Sequence, residues 1–550
     1  MKNTTLKGLS LSLCTIMVTS GLVACTSGNG AAPSAKSETT NTPAVAAGTG
    51  KISEKEREVK VTFPEHPNQP VKNFALVQQE IFNQTNIKLK FENVPNSNYN
   101  DKKKTLLATN NLPDIIEINM SDVNNFASTG VFVPLLQYMN KGLMPNFKKF
   151  WDQNPDMAKM TANGELYGFP AVGRNELKNG FGPVIRTDLL KKHNLATPKT
   201  FDELLTVLSE LKKIYPDSTP FSVRKGSGPI HQLFKTMAYP LGSGVGTGTG
   251  IYFDKDVNGG QYVYGPATAQ FKDVLRFFNK AFTSGVLDKD YAVATQQQWT
   301  EKLTSGKSFF FFDNSGFALD YTKQLQKAVP DGNFQIIPIP TNASGKARAE
   351  YYATTLTDKM FAISSKAKDP ETLIKLIDWM YTEKASNLMS YGVEGVHHTL
   401  DEKGQPKLKS DYVMKFKDGQ PTAFYAMYSE LGSGKLSFTP WFANMDPQVQ
   451  VEKLTGSWST EHETYWKTVS ADKAYHDPYI DPPLTQEETA RVKEILAPLN
   501  TMLEQEYDKF IMGVKKIDEY DAIMKKARDT GGSELEKIYN GALARLSQKK

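Results

Sequence analysis

The fold of this chain is decided by residues 181–215, which read FGPVIRTDLLKKHNLATPKTFDELLTVLSELKKIY. The apolar start predicts a buried strand, a short helix follows it, and Pro198 marks the turn that comes next. Thr200 and Glu203 have the spacing of a capping box, which satisfies free backbone groups at the start of a helix. The apolar residues after this cap recur at helical spacing and predict one buried face, formed by Phe201, Leu204, Leu205, Leu208, Leu211 and Tyr215.

Strands and helices also alternate in the preceding part of the chain. Val59–Phe63, Ile87–Phe91 and Asp114–Ile118 have the composition of strands, and a helix is predicted to begin at Pro70. This order is typical of a parallel sheet whose strands are joined by crossover helices. In open sheets of this kind, ligands bind beyond the carboxyl ends of the strands.

Polar residues stand at the ends of two predicted strands. Asn119 and Ser121 come directly after Asp114–Ile118, and Asp313 and Asn314 come after an apolar run that ends at Phe312. They are candidates for a ligand cleft. For Asn119 and Ser121, capping of the next helix is an equally good interpretation.

Length and charge limit the classes of protein that this chain can belong to. A formal net charge of +5 on 550 residues is small, and the basic residues are spread along the chain, so no nucleic-acid partner is expected. The roughly 490 residues that follow the N-terminal region exceed what one hydrophobic core usually supports, which predicts two lobes.

The N-terminal region has the pattern of an export signal. Lys2 and Lys7 precede an apolar run from Leu9 to Ala24, and the last residues of this run with Cys25 resemble the bacterial lipobox. The alternative is an ordinary signal peptide that contains a cysteine by chance. The only other cysteine, Cys14, would leave with the signal, so no internal disulfide is expected. We therefore predict a signal peptide over 1–24, and a lipidated Cys25 with a flexible tether over 25–57.

Motifs for catalysis and for metal binding are incomplete. The sequence Gly306-Lys307-Ser308 ends like a P-loop, but Glu301 stands where the loop needs glycine. Residues 254–259 match the first half of an EF-hand loop, whose twelfth position is Gly265 instead of a carboxylate. Zinc-ligand spacing and a nucleophile elbow are absent from the sequence, and the pair His397-His398 is expected at the surface. No cofactor and no metal are predicted.

Several separated segments together resemble one known family. They are RTDLL (186–190), PKTFDEL (198–204), NLPDII (111–116), NGELYGFP (163–170) and KDPETLIKLIDWMYTEKASNLMSYGVEG (368–395). Their order is similar to that of the family 1 extracellular solute-binding proteins of ABC sugar importers. The long segment 368–395 resembles the lipoprotein branch described as LplA/LipO-like, which carries fatty-acyl chains such as palmitate on its cysteine.

This resemblance implies an α/β fold of the type II periplasmic-binding-protein class, with two lobes, each a mostly parallel sheet with flanking helices, and a ligand cleft between them. Lobe 1 would comprise 58–172 plus about 353–430, and lobe 2 would comprise 173–352 plus about 431–550. The implied protein is a monomer, lipid-anchored at the extracytoplasmic face of the cell membrane. It would capture a carbohydrate, in particular an oligosaccharide, and deliver it to membrane permease subunits that work with a separate ATPase.

A sugar site combines aromatic platforms for flat C–H faces with fixed polar groups for hydroxyls. Trp441 is the foremost candidate, because it follows Pro440 in a polar loop outside any amphipathic period. Arg174 follows the predicted crossing between the lobes and is expected near the cleft. Further candidate platforms are Phe312, Phe317, Tyr351, Tyr352, Tyr391 and Phe442, and further polar candidates are Asn119, Ser121, His231, Asp313, Asn314, Glu394 and Asn444.

Two other functions remain open at this point. A lipid-anchored glycoside hydrolase or lyase would need paired carboxylates, whose separation is a property of the fold and cannot be seen in a sequence. A receptor for peptides or another non-sugar solute would share the two-lobe architecture and differ in the charge of its cleft.

Overall fold

The computed structural model describes residues 50–92, 94–174, 180–226, 231–246, 248–351, 355–432, 438–443 and 445–547. The predicted signal peptide, Cys25 and most of the predicted tether lie outside these residues, as do Tyr352 and Asn444. Within the described ranges, no helix combines the length and the apolar character needed to cross a membrane.

The strands of the described chain are β1 (Arg57–Thr62), β2 (Pro64–Glu65), β3 (Ile87–Phe91), β4 (Val94–Pro95), β5 (Ile115–Ile118), β6 (Phe169–Gly173), β7 (Phe181–Arg186), β8 (Ile251–Asp254), β9 (Gln261–Tyr264), β10 (Phe310–Asn314), β11 (Phe334–Ile336), β12 (Ala349–Glu350), β13 (Leu356–Ile363), β14 (His398–Leu400), β15 (Pro406–Leu408), β16 (Trp441–Phe442) and β17 (Tyr475–His476).

The α-helices are α1 (Leu76–Thr85), α2 (Asn96–Ala108), α3 (Met120–Phe126), α4 (Leu136–Asn140), α5 (Pro145–Gln153), α6 (Thr187–Lys192), α7 (Phe201–Ile214), α8 (Gln232–Leu241), α9 (Gln270–Thr283), α10 (Gln296–Thr304), α11 (Phe317–Leu325), α12 (Pro370–Trp379), α13 (Glu383–Tyr391), α14 (Ser410–Val413), α15 (Ala423–Leu431), α16 (Asp446–Thr455), α17 (Thr460–Ala471), α18 (Gln486–Ile511), α19 (Tyr520–Ala527) and α20 (Ser533–Ser547).

A six-stranded sheet in the order β16-β6-β13-β5-β1-β3 forms the first lobe. Strands β3, β1 and β5 are parallel, and α1 and α2 connect them, as the alternating pattern predicts. Strand β13 enters antiparallel between β5 and β6. The helix predicted from Pro70 begins only at Leu76, because Phe74 has a left-handed backbone (φ 66°) and Lys72 donates its N–H to the carbonyl of Gly432.

The second lobe contains the stretch that opens with β7. Strands β10 and β11 are joined through α11 and flank β7, and both run antiparallel to it, so this small sheet is not parallel as expected. The cap of α7 forms as predicted, since the Thr200 hydroxyl accepts from the N–H of Glu203 at 3.0 Å. The predicted apolar face of α7 is largely buried, with Leu205 and Tyr215 at its margin.

Two separate hydrophobic cores establish the two lobes. Val59, Ile115 and Phe361 belong to the core of the first lobe, and Leu208 and Phe311 belong to that of the second. The side chains of Phe438, Phe442 and Val451 pack in the first core, and those of Met445 and Trp466 pack in the second. The chain therefore contributes side chains to both cores between residues 438 and 466.

A buried ion pair in the first lobe should matter for stability far more than an exposed pair of similar length. Lys103 and Asp122 are 2.6 Å apart with 6% and 9% of their side chains exposed, whereas Lys148 and Asp152 are 2.7 Å apart and about half exposed. We expect Lys103→Met to lower the free energy of unfolding by about 3 kcal/mol, because it leaves a buried carboxylate without its cation. Lys148→Met should change it by less than about 0.5 kcal/mol. Urea denaturation at pH 7 measures both, and equal small losses would contradict the prediction.

Candidate functional site

A cavity of about 900 Å³ opens at the edge of the first-lobe sheet. Its walls come from α5, β6, β13, α13 and β16, and from the segment 477–480, whose Tyr479 packs on the second lobe. The cavity is therefore built where the two lobes meet. Its lining includes Phe150, Asp156, Lys159, Val172, Arg174, Leu356, Glu383, Tyr391, Lys407, Trp441, Asp446, Asp477 and Tyr479.

The pairing of two strands brings Arg174 and Trp441 together. Trp441 lies opposite Val172 and Phe442 lies opposite Gly173 in the parallel pair β16–β6, and the N–H of Arg174 continues this ladder by donating to the carbonyl of Phe442 at 3.0 Å. Neighbouring strands place such residues within reach of one another on one face. The Arg174 guanidinium lies 4.9 Å from the centre of the Trp441 ring, a cation–π distance.

Helix α13 fixes the Arg174 guanidinium. Its Nε and Nη2 donate to the Ser386 hydroxyl at 3.1 and 2.7 Å, and Nη2 also donates to Asn387 Oδ1 at 2.6 Å. The Ser386 hydroxyl in turn donates to the carbonyl of Trp441 at 2.6 Å. Both α13 side chains are buried and neutral. The arrangement therefore holds a cation in one pose on uncharged partners.

The aromatic rings of the lining differ in how far they are buried and in which neighbours hold them. Trp441 is half-buried and packs edge-on against Phe150, with ring centres 5.2 Å apart. Tyr391 is buried, and its hydroxyl donates to Asp446 at 2.8 Å. Tyr479 stacks on Phe253 of the second lobe at 3.8 Å. Trp441 is thus the foremost platform in the lining with part of its ring open to the cavity.

Lys159 connects the two lobes at the rim of the cavity. Its ammonium group lies 3.9 Å from the centre of the Tyr479 ring and 3.1 Å from Asp156. Because Tyr479 stacks on Phe253 from the other lobe, this cation–π contact crosses between the lobes. The rim therefore has a contact that depends on how far the lobes are closed.

A group of carboxylates extends along the wall next to the cavity. Asp358 lies two residues after Leu356 on β13, and Asp481 follows Ile480. Both residues are exposed, although the protein around their carboxylates removes part of the hydration. This loss of hydration raises the pKa of Asp358 to about 7 and that of Asp481 to about 6, and it raises the pKa of Glu350 to about 7. Asp481 contributes further to the shifts of Asp358 and Glu350 by like-charge repulsion.

The structure brings two of the predicted site residues, Arg174 and Trp441, into one cavity, together with the candidate platform Tyr391. Asn119 caps α3 by accepting from the N–H of Asp122 at 3.0 Å, and Ser121 is exposed in the first turn of that helix. Of the two interpretations of Asn119, capping is the one for which the structure shows a contact.

Other predicted site residues do not line the cavity and instead form contacts within the second lobe. Asp313 is buried and pairs with Arg224 at 2.8 Å, and Phe312 packs in the core beside Phe201. The Asn314 amide oxygen accepts from the N–H of Gly316. His231 lies 3.4 Å from Asp508.

Three predictions concern residues near the loop that follows α13. Glu394 is exposed there and does not line the cavity. The surface location expected for His397 and His398 is wrong, because both side chains are buried beneath this loop. Burial lowers the pKa of His397 to about 4, and its Nδ1 accepts from the N–H of Val393.

Sequence reasoning missed Phe150, Tyr479 and Asp446. Phe150 reads as a core position of an amphipathic helix, and Tyr479 and Asp446 belong to segments without a motif. The only signal was weak: Tyr479 stands in a proline-rich stretch, DPYIDPP, which cannot form a regular element.

The acidic residues of the half EF-hand at 254–259 form ion pairs with basic side chains of the protein. Arg348 Nη1 lies 3.2 Å from Asp254, and Lys346 Nζ lies 3.2 Å from Asp256. In the loop after α7, the Lys212 ammonium donates to the carbonyls of Pro216 and Ser218 at 2.7 and 2.6 Å. Among the described residues, no group of three or more His, Cys, Asp and Glu side chains is arranged to hold a metal ion.

Comparison with known proteins identifies a family. A model described as bacterial extracellular solute-binding protein matches residues 69–387, which is more than half of the chain. The polygalacturonan/rhamnogalacturonan-binding protein YtcQ of Bacillus subtilis is 28% identical over 364 residues, which cover 64% of this chain and 68% of YtcQ. The fructooligosaccharide ABC transporter substrate-binding protein FusA of Streptococcus pneumoniae is 28% identical over 364 residues, covering 60% and 62%. Lipoprotein LipO of B. subtilis is 26% identical over 325 residues, covering 56% and 61%.

Solved structures confirm the predicted fold class. The alginate-binding protein AlgQ2, solved without calcium ion, superposes with a TM-score of 0.73 at 21% identity, covering 90% of this chain and 99% of AlgQ2. FusA in complex with kestose gives a TM-score of 0.67 at 20% identity, covering 90% and 100%. The aligned sequences cover about two thirds of each curated relative, whereas the fold extends over nearly the whole of each solved structure.

The crevice carboxylates predict a dependence of stability on pH. An unfolded aspartate titrates near 3.9, so between about pH 4 and pH 7 the folded protein holds more protons at Asp358 than the unfolded chain does. Stability therefore falls as the pH rises through this range. Asp358→Asn keeps the oxygen that accepts from the N–H of Met120 at 2.8 Å but cannot ionise. We expect its melting temperature to exceed that of the wild type at pH 8, and by clearly less at pH 5, where only part of this stability has been lost.

The control for this variant is Asp152→Asn, at an exposed position on α5. Its offset from the wild type should be the same at both pH values. If Asp358→Asn also gave one constant offset, the raised pKa of Asp358 would be refuted.

Proposed function

Since this chain belongs to the family of bacterial extracellular solute-binding proteins, we propose that it captures an oligosaccharide outside the cytoplasm and delivers it to the permease of an ABC importer. The observation that carries this proposal is the half-open Trp441 ring beside the fixed Arg174 guanidinium, in a cavity where the lobes meet. An indole face packs against the C–H face of a sugar, and fixed polar groups bind its hydroxyls.

The relatives support a carbohydrate as the solute. YtcQ and FusA are named for polygalacturonan, rhamnogalacturonan and fructooligosaccharide. The aligned solved structures include an alginate-binding protein and a complex with kestose. A cavity of about 900 Å³ has room for a ligand of a few sugar units.

Capture proceeds by closure of the lobes on the solute. A ligand that contacts both lobes favours the closed state by the difference between its affinities for the closed and open forms. The contact from Lys159 to Tyr479 crosses between the lobes at the rim of the cavity, so closure changes its geometry directly. The closed form then docks on the permease subunits, which work with a separate ATPase.

The receptor returns its solute unchanged. The matched relatives are solute-binding proteins. The raised pKa values of Asp358 and Asp481 are nevertheless of the kind that a general acid needs. Incubation with an oligosaccharide and chromatography of the products therefore belongs to the test. Cleaved products would contradict the receptor function and show that the protein is a carbohydrate-active enzyme.

Replacement of the platform should weaken binding and leave the fold intact. We expect Trp441→Ala to lower the affinity for the oligosaccharide that binds best at least about tenfold, because the variant loses the aromatic face. The oligosaccharide is found by thermal shift among glucan, fructan and pectin oligosaccharides, with tetrapeptides beside them, and its affinity is measured by calorimetry. Stabilisation by peptides alone would contradict the carbohydrate assignment.

Trp458→Ala is the matched control, because Trp458 is also half-buried but lies outside the cavity lining. Its affinity should stay within about threefold of the wild type. X-ray scattering with and without the oligosaccharide should show a smaller radius of gyration when ligand is bound. An unchanged radius would contradict closure.

The anchor is proposed to be a lipid on Cys25, from the lipobox-like residues before it and from the similarity to LipO, which is named as a lipoprotein. A myristoyl chain alone holds a protein only marginally at a membrane, whereas two or more chains anchor it stably. We expect Cys25→Ser to abolish labelling with an alkyne analogue of palmitate and to release the protein from the cell pellet into the extracytoplasmic fraction. Labelling that persists in this variant would contradict the assignment.

A further inference from the structure

We propose that Arg174 selects a saccharide that carries a carboxylate, so that the preferred solute is an oligosaccharide with a uronic-acid unit at Trp441. The inference rests on the proposed function, because it names the chemical class of the solute in the same cavity. It is carried by the charge balance around Arg174.

Three cations line the cavity, and two of them already have a carboxylate partner. Lys159 pairs with Asp156 at 3.1 Å, and Lys407 pairs with Asp401 at 3.7 Å. In the part of the chain that the structure describes, Arg174 forms no ion pair. Among the described residues, it is therefore the cation of this lining that has no carboxylate partner.

The partners of Arg174 explain how the charge is held without being neutralised. Ser386 and Asn387 accept from Nε and Nη2 only, and Trp441 covers the guanidinium from one side. Nη1 makes no hydrogen bond with the described residues. A planar fork held in one pose, with donors left over, matches the geometry of a carboxylate.

A neutral sugar would not need this cation. Hydroxyl groups can also be bound by amide side chains, which carry no charge, whereas a guanidinium held in a partly enclosed site without a carboxylate beside it costs free energy. A carboxylate at the edge of a sugar ring packed on the open part of Trp441 supplies that counter-ion. The favourable ion pair with Arg174 therefore forms only when the acidic ligand is bound.

The other ionised groups limit where a second acidic unit can lie. Glu383 and Asp477 line the cavity and are exposed, and Asp446 accepts from Tyr391 and Gln450. These carboxylates repel an acidic unit placed beside them. We therefore expect a uronate at Arg174 and neutral or weakly acidic units in the rest of the cavity.

The test measures the ratio of two affinities for each variant. The probes are tetramers of galacturonate, glucuronate and mannuronate, each compared by calorimetry with the same tetramer after reduction of its carboxyl groups to alcohols. We expect the wild type to bind at least one uronide tetramer about tenfold or more tighter than its reduced form. Added NaCl should weaken binding of the uronide and leave that of the reduced form unchanged.

Arg174→Gln should lower the affinity for that uronide about tenfold to hundredfold and change the affinity for the reduced form by less than about threefold. The affinity of Arg174→Lys for the uronide should lie between those of the wild type and Arg174→Gln, because lysine keeps the charge but lacks the planar fork of the guanidinium. Lys407→Gln is the matched control, since Lys407 also lines the cavity but has Asp401 as its partner. It should keep the preference of the wild type. Thermal unfolding without ligand shows whether each variant is folded.

The outcomes separate this inference from the proposed function. Binding of the reduced tetramers as tightly as the uronides, or an equal loss of both in Arg174→Gln, would overturn the selection of acidic sugars and leave the saccharide receptor standing. Binding of no saccharide at all, neutral or acidic, would overturn the proposed function itself.

Discussion

The short pairing of β16 with β6 is the constraint on which the candidate site depends. It consists of two residue pairs, Trp441 with Val172 and Phe442 with Gly173. This pairing brings a loop from the C-terminal half of the chain to the edge of a sheet built mainly from the N-terminal part. Without it, Trp441 would have no fixed relation to Arg174, and the cavity would lose its wall. The Ser386 hydroxyl reinforces the pairing by bonding both to the carbonyl of Trp441 and to Arg174.

Local chemistry in the sequence was sufficient to predict much of the fold. The capped helix α7 and the parallel unit β1-α1-β3-α2-β5 follow from spacing and capping residues that act over a few positions. The antiparallel sheet around β7 does not, because strand direction is decided by partners far along the chain. The core membership of Val451 likewise depends on long-range packing.

The candidate site was predictable where a residue departs from its local pattern. Trp441 lies outside any amphipathic period, and Arg174 follows a motif, and both line the cavity. Asp313 also stands at the end of a strand, but Arg224, a distant residue in sequence, neutralises it. A sequence does not show which polar residue will find a partner inside the protein and which will remain open to a ligand. Phe150 was missed for the converse reason, since its helical period resembles that of core residues.

The Arg174 charge at the meeting point of the lobes is held differently from the charges that are paired inside each lobe. Lys103 with Asp122, and Arg224 with Asp313, are buried pairs at 2.6 and 2.8 Å. By contrast, Arg174 lies on neutral groups, and the negative charge of Asp481 raises the pKa of Asp358 beyond the effect of burial. Proteins optimised only for stability avoid such arrangements, and departures of this kind concentrate at functional sites. In the proposed receptor, an acidic solute supplies a counter-ion to Arg174, so that the unfavourable free energy of this charge in the empty site is relieved when the solute binds.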